Sequence, residues 1–269
     1  MAKKQLALDE TPNTAQTTFY RQIGIKRVLI CFHGFQSSSR HDIQSFKDYF
    51  DKVNDDDSFE VVLVNLYDYG DKKTYSRKMM LQRAENVVKE YIDKKYVVYL
   101  LAYSYSVGIA AKCCTDFPSI EKLTLISPTI YILKTKLFSG YFKMLKKRIK
   151  IQAKYKKKAK AMFEKSHSQG MIKLVFSIMF AILHYRKYLK SLRCKVFMTK
   201  GNQDELCITN TFSYISKKSK NSITMSKVYP NEDHVMFMSL EHGKQAYDDV
   251  LRFVFHIEPE EDNSFDIRF

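Results

Sequence analysis

Cysteine is scarce in this chain and poorly placed for cross-linking. The five cysteines among 269 residues are odd in number, and two are adjacent at Cys113 and Cys114. That arrangement argues against the disulfide frameworks of small secreted domains. It also lacks the spaced pairs of a zinc site. Long hydrophobic runs are missing too. The longest, LVFSIMFAILHY (174–185), falls short of the roughly 20 apolar residues that a membrane-spanning helix requires. The opening stretch MAKKQLALDETPNTAQ has no apolar core and no small-residue cleavage site, so no secretory signal is expected. A reducing, cytoplasmic setting fits these absences. A last scarcity is local. Between Lys134 and Lys195 a single acid, Glu164, stands against 19 Lys and Arg, a net +18, whereas the remainder carries 26 basic and 28 acidic residues. The formal charge of +16 therefore belongs to one segment.

Outside that segment the chain alternates strand-like and helix-length stretches. RVLICF (27–32), EVVLVNL (60–66), YVVYLLA (96–102), KLTLIS (122–127), CKVFMT (194–199) and ITMSKVY (223–229) are apolar and β-rich, and TTFYRQIG (17–24) suggests an early edge strand. Several run nearly unbroken, as parallel strands covered on both faces do. Helix-length segments at 40–51, 78–94, 107–117, 209–218 and 240–256 separate them. This is the pattern of a doubly wound α/β sheet. It breaks once, over residues 133–192, which read as a helical insertion between two core strands. The core is then expected at 1–132 and 193–269.

Chemistry-bearing residues gather after the strands. YSYSVG (103–108) sits between a strand and a helix, with Ser104 and Gly108 as small residues two positions either side of Ser106. A sharp strand-to-helix turn demands such small neighbours and exposes the hydroxyl at a helix N-terminus. Ser104 itself reads as a packing residue, because Ala102, two residues before it, is already strand. His33-Gly34 opens a loop after the first strand. Asp204 lies in the TKGNQDE turn, with Glu205 as the alternative acid, and His234 lies in YPNEDHVMF after the last strand. Asp233 is too close in the chain to His234 to orient it.

The order Ser, Asp, His at the C-terminal ends of strands resembles the α/β-hydrolase superfamily, in particular its capped serine esterases and acylglycerol-lipase-like members, over roughly residues 25–256. The resemblance implies Ser106 as nucleophile, His234 as general base, Asp204 as its orienting acid, and the backbone amides of Phe35 and Val107 as the oxyanion hole. His33, Gly34 and Tyr105 are expected beside the substrate. Ser104 replaces the usual first glycine of the family's motif. The implied reaction is hydrolysis of an acyl or lipid-like carboxylic ester through an acyl-enzyme, which calls for neither a metal nor an organic cofactor. Amide or peptide hydrolysis, and a non-catalytic basic scaffold, are the alternatives. The insertion joins its lysines to an apolar helix, a combination that suits an anionic membrane surface. Nucleic acid is disfavoured, because KYKKKAKA (154–161) offers a single aromatic.

Overall fold

A computed structural model describes residues 24–35, 43–131 and 171–256, apart from 69, 209 and 240. Residues 17–23 of the early edge strand expected at 17–24, and the insertion up to residue 170, lie outside these residues. Six strands form one parallel sheet: β1 (Arg27–Phe32), β2 (Phe59–Val64), β3 (Val97–Tyr103), β4 (Lys122–Ile126), β5 (Lys195–Gly201) and β6 (Thr224–Tyr229). Their spatial order is β2-β1-β3-β4-β5-β6, and each neighbouring pair is parallel. Every residue of β1 and β4 is buried, which accounts for their unbroken apolar runs. β6, at one edge, is only partly covered.

Helices cover both faces. α1 (Gln44–Val53) and α6 (Gly243–Phe255) pack on one side, where Phe46, Tyr49 and Phe50 meet Tyr247, Val250 and Phe255. On the other side lie α2 (Arg77–Asp93), α3 (Val107–Asp116), α4 (Met171–Tyr185) and α5 (Thr211–Lys218). α2 buries Met80, Ala84 and Val88, one stripe at helical spacing, and Ser76 caps its start by accepting from the Met79 amide at 3.1 Å. Each large side chain buried this way contributes about 1.5–3 kcal/mol of transfer free energy. Gly108 lets α3 approach the end of α4: a Cβ there would meet the Cβ of Tyr185 at 3.0 Å.

The sheet runs outwards from β1 in two directions, to β2 on one side and to β3 on the other. The loops after β1 and β3 therefore flank a reversal of strand order, where open α/β sheets place their ligand crevices.

Candidate active site

β3 ends at Tyr103, and the next residue, Ser104, takes φ +59° before a single 3₁₀ turn (104–106) runs into α3. A left-handed non-glycine residue is strained by about 1–3 kcal/mol and persists only where its surroundings impose it. Here they do. The Ser104 carbonyl accepts from the Thr129 amide at 3.0 Å, and Ser106 ties the turn to the sheet. The Ser106 hydroxyl accepts from the Tyr103 amide at 3.1 Å and lies within bonding reach of the carbonyls of Tyr103 (2.9 Å) and Phe32 (3.1 Å).

The strain aims Ser104 at a histidine. Its Oγ lies 2.8 Å from His234 Nε2, and His234 Nδ1 lies 2.9 Å from both carboxylate oxygens of Asp204. All three side chains are buried. Asp204 also accepts the amides of Leu206 and Cys207 at 2.9 and 2.8 Å. Burial pushes its carboxyl up, but the His234 imidazole and these amides outweigh that and hold it below the ordinary carboxylate range. A hydroxyl, an imidazole and a carboxylate are thus joined in one hydrogen-bonded line. Such a line can pass a proton from oxygen to nitrogen while a fixed anion stabilises the imidazolium.

His33 is fully buried after β1. Its Nε2 accepts from the Leu66 amide at 3.0 Å, which leaves Nδ1 to donate to the Gly34 carbonyl at 2.8 Å. Both ring nitrogens are used inside the protein, so the ring braces its loop and offers no nitrogen to a substrate. The Tyr105 ring is buried edge-on to His33, with centroids 6.4 Å apart, so its side chain belongs to the core. Among the described residues one group has metal-ligand geometry: Glu232, Glu241 and His242 hold their ligand atoms within 4.8 Å of one another. Glu232 already takes His242 Nδ1 at 2.9 Å and the Ser239 hydroxyl, contacts that brace the loop bearing His234.

No family model and no curated protein matches the sequence. Solved structures do. A lipolytic enzyme of the metagenome-derived LipS and LipT pair is similar at 9% identity and TM-score 0.62, over 87% of this chain and 95% of that one. An esterase from Exiguobacterium antarcticum is similar at 15% identity and TM-score 0.62, over 86% and 92%. A bromoperoxidase from Bacillus anthracis reaches TM-score 0.61 at 13% identity, over 85% and 91%. The fold is that of the α/β-hydrolases. A fold that carries such different names does not choose the reaction, so the site must.

The hydrogen bonding at the end of β3 corrects the expectation for the serine. Ser106 does not face His234. Its hydroxyl is fully buried against Phe32 and Tyr103, and Ser104 occupies the position assigned to it. The amide that follows the presented serine is accordingly that of Tyr105, not that of Val107, which opens α3 two residues further on. Ala102, set aside in the sequence because it belongs to the strand, is the small residue two positions before the presented serine. β3 runs right up to the strained Ser104, so the small residue that a sharp strand-to-helix turn needs falls inside the strand. Gly108, which made the other register attractive, is small for the sake of Tyr185. Asp204 rather than Glu205 reaches His234, and Asp233 instead accepts from the Val235 amide. Phe35 is half-buried at the end of the described β1 loop.

Proposed function

We propose that the protein is a serine hydrolase of carboxylic esters, with Ser104 as nucleophile, His234 as general base and Asp204 as the group that orients it. The reading rests on one observation, the continuous contact from Ser104 Oγ through the imidazole to the Asp204 carboxylate. Ser104 attacks the ester carbonyl as its proton moves to His234 Nε2. The tetrahedral oxyanion is assigned to the backbone N–H of Tyr105, in the helical turn, and to that of Phe35 after β1. His234 then gives its proton to the leaving alcohol, and water repeats the sequence on the acyl-serine. Each oxyanion donor is worth about 3–4 kcal/mol in such sites. A fluorophosphonate probe tests the assignment: covalent labelling should vanish in Ser104→Ala and survive in Ser106→Ala, and the reverse pattern refutes it. A p-nitrophenyl ester series set against p-nitroanilides separates esterase from amidase.

A second reading concerns delivery of the substrate. No described helix is long and apolar enough to cross a membrane. On α4, Leu174, Ile178, Ala181, Ile182 and Tyr185 pack into the core, while Phe176 and Phe180 remain 52% and 53% exposed, one turn apart. Lys173, His184 and Lys187 continue the same exposed stripe, and the sequence carries no acid from Lys165 to Gln203. An apolar pair within a cationic stretch suits peripheral contact with anionic lipid. Flotation with anionic but not neutral vesicles, weakened in Phe176→Ser/Phe180→Ser, is the expected outcome. Equal recovery from both vesicle types refutes it.

A further inference from the structure

In the sheet, Ser104 and His234 are not neighbours. Ser104 follows β3, His234 follows β6, and β4 and β5 stand between. The loop after β6 must reach back over two strands to put its imidazole on the serine. A device that fixes this span has to connect the end of β3 directly to that loop.

Tyr103 does so. It is the last residue of β3 and is bonded covalently to Ser104. Its hydroxyl donates to the backbone carbonyl of His234 at 2.7 Å, and both groups are buried. Its ring lies nearly parallel to the imidazole, 17° between planes with centroids 5.9 Å apart, and it also stacks on Phe237 at 20° and 6.2 Å. The residue that precedes the serine thus holds His234 at two points, its backbone carbonyl and the face of its ring.

We propose that Tyr103 is a positioning residue, a strut that fixes the separation of Ser104 Oγ and His234 Nε2 across the two intervening strands. It touches no reacting atom. It acts through His234, so its effect belongs to the proton-transfer step rather than to substrate binding. The proposal rests on the serine-hydrolase reading given above.

Tyr103→Phe keeps the stacked ring and removes the donor. Turnover of a p-nitrophenyl ester, expressed per site titrated with fluorophosphonate, should fall roughly ten- to a hundredfold with KM unchanged, the signature of lost orientation. Replacing Tyr103 by p-aminophenylalanine, which restores an N–H donor at the ring tip, should recover most of the loss. The downfield proton resonance of His234 Nδ1–H on Asp204, read without substrate, should shift or broaden in Tyr103→Phe and return in the rescued protein. A kcat per titrated site within twofold of wild type, or a loss that appears in KM alone, overturns the proposal. So does a Tyr103→Phe chain that cannot be titrated because it fails to fold, since the strut would then serve folding. If wild type takes no label at all, the hydrolase reading fails, while the proton resonance still reports whether Tyr103 holds His234.

Discussion

Gly201, the last residue of β5, lies directly against the backbone of the loop bearing His234. A Cβ at this position would lie 2.0 Å from the carbonyl oxygen of Glu232, 2.3 Å from its carbonyl carbon and 2.8 Å from the carbonyl oxygen of Asp233. All three obstacles are backbone, so no side chain can turn aside to relieve them. In Gly201→Ala the Glu232 oxygen must retreat by about 1 Å to reach even the shortest tolerable separation of 3.0 Å. That oxygen also accepts the Gln203 amide at 2.9 Å, so the retreat weakens a bond in the turn that carries Asp204. His234 follows Glu232 by two residues. A shift of this size transmitted to its ring lengthens the 2.8 Å contact with Ser104 beyond hydrogen-bonding range. Misplacement of a catalytic group by about 1 Å typically costs on the order of 100-fold in rate, and overpacking of this kind costs about 1–3 kcal/mol in stability. The assay is the second-order rate of fluorophosphonate inactivation beside urea unfolding. Gly108→Ala is the control for overpacking, since its closest contact, the Tyr185 Cβ at 3.0 Å, belongs to the end of α4 and not to the loop bearing His234. Inactivation of Gly201→Ala at the wild-type rate, with an unmoved urea midpoint, would refute the reasoning.

The strands were legible because burial on both faces leaves an unmistakable signature: RVLICF and KLTLI are apolar regardless of which way each side chain points. The helices between them were legible from length and spacing. The acid and base could be named because each lies in a short polar turn just past a strand. The serine was misread because its position depends on one backbone dihedral at a junction with two candidates, and small residues lie on either side of both. Gly108 fits the search pattern two residues after Ser106, yet its space is filled by a helix some 80 residues away in the chain. Tyr103 was invisible for a related reason. Its partner is the carbonyl of a residue 131 positions later, and no local pattern encodes a contact made across two strands.

Ser106→Ala should cost about 1–3 kcal/mol in urea unfolding, because the Tyr103 amide and its companions at the end of β1 lose a buried partner, while labelling of Ser104 persists at a reduced rate. His33→Ala should destabilise similarly, since the Leu66 amide loses its acceptor, and neutral-pH activity should fall through loosening of the β1 loop rather than through loss of a proton carrier. Asp204→Asn should lower kcat by roughly 10⁴-fold, because an amide cannot hold the imidazole in the tautomer that accepts from Ser104. The same substitution carries a pH test. Burial alone raises the Asp204 carboxyl, but His234 and the amides of Cys207 and Leu206 bring it below the ordinary carboxylate range in the folded protein. The unfolded chain keeps the ordinary value and so takes up its proton at higher pH. Stability from this carboxylate is therefore complete above the unfolded value and is lost as pH falls through the folded one. Urea midpoints recorded from about pH 6 down to about pH 3 should drop more steeply for wild type than for Asp204→Asn. Parallel curves would mean that the carboxylate is not stabilised by the imidazole, and the line from Ser104 to Asp204 would lose its anionic end.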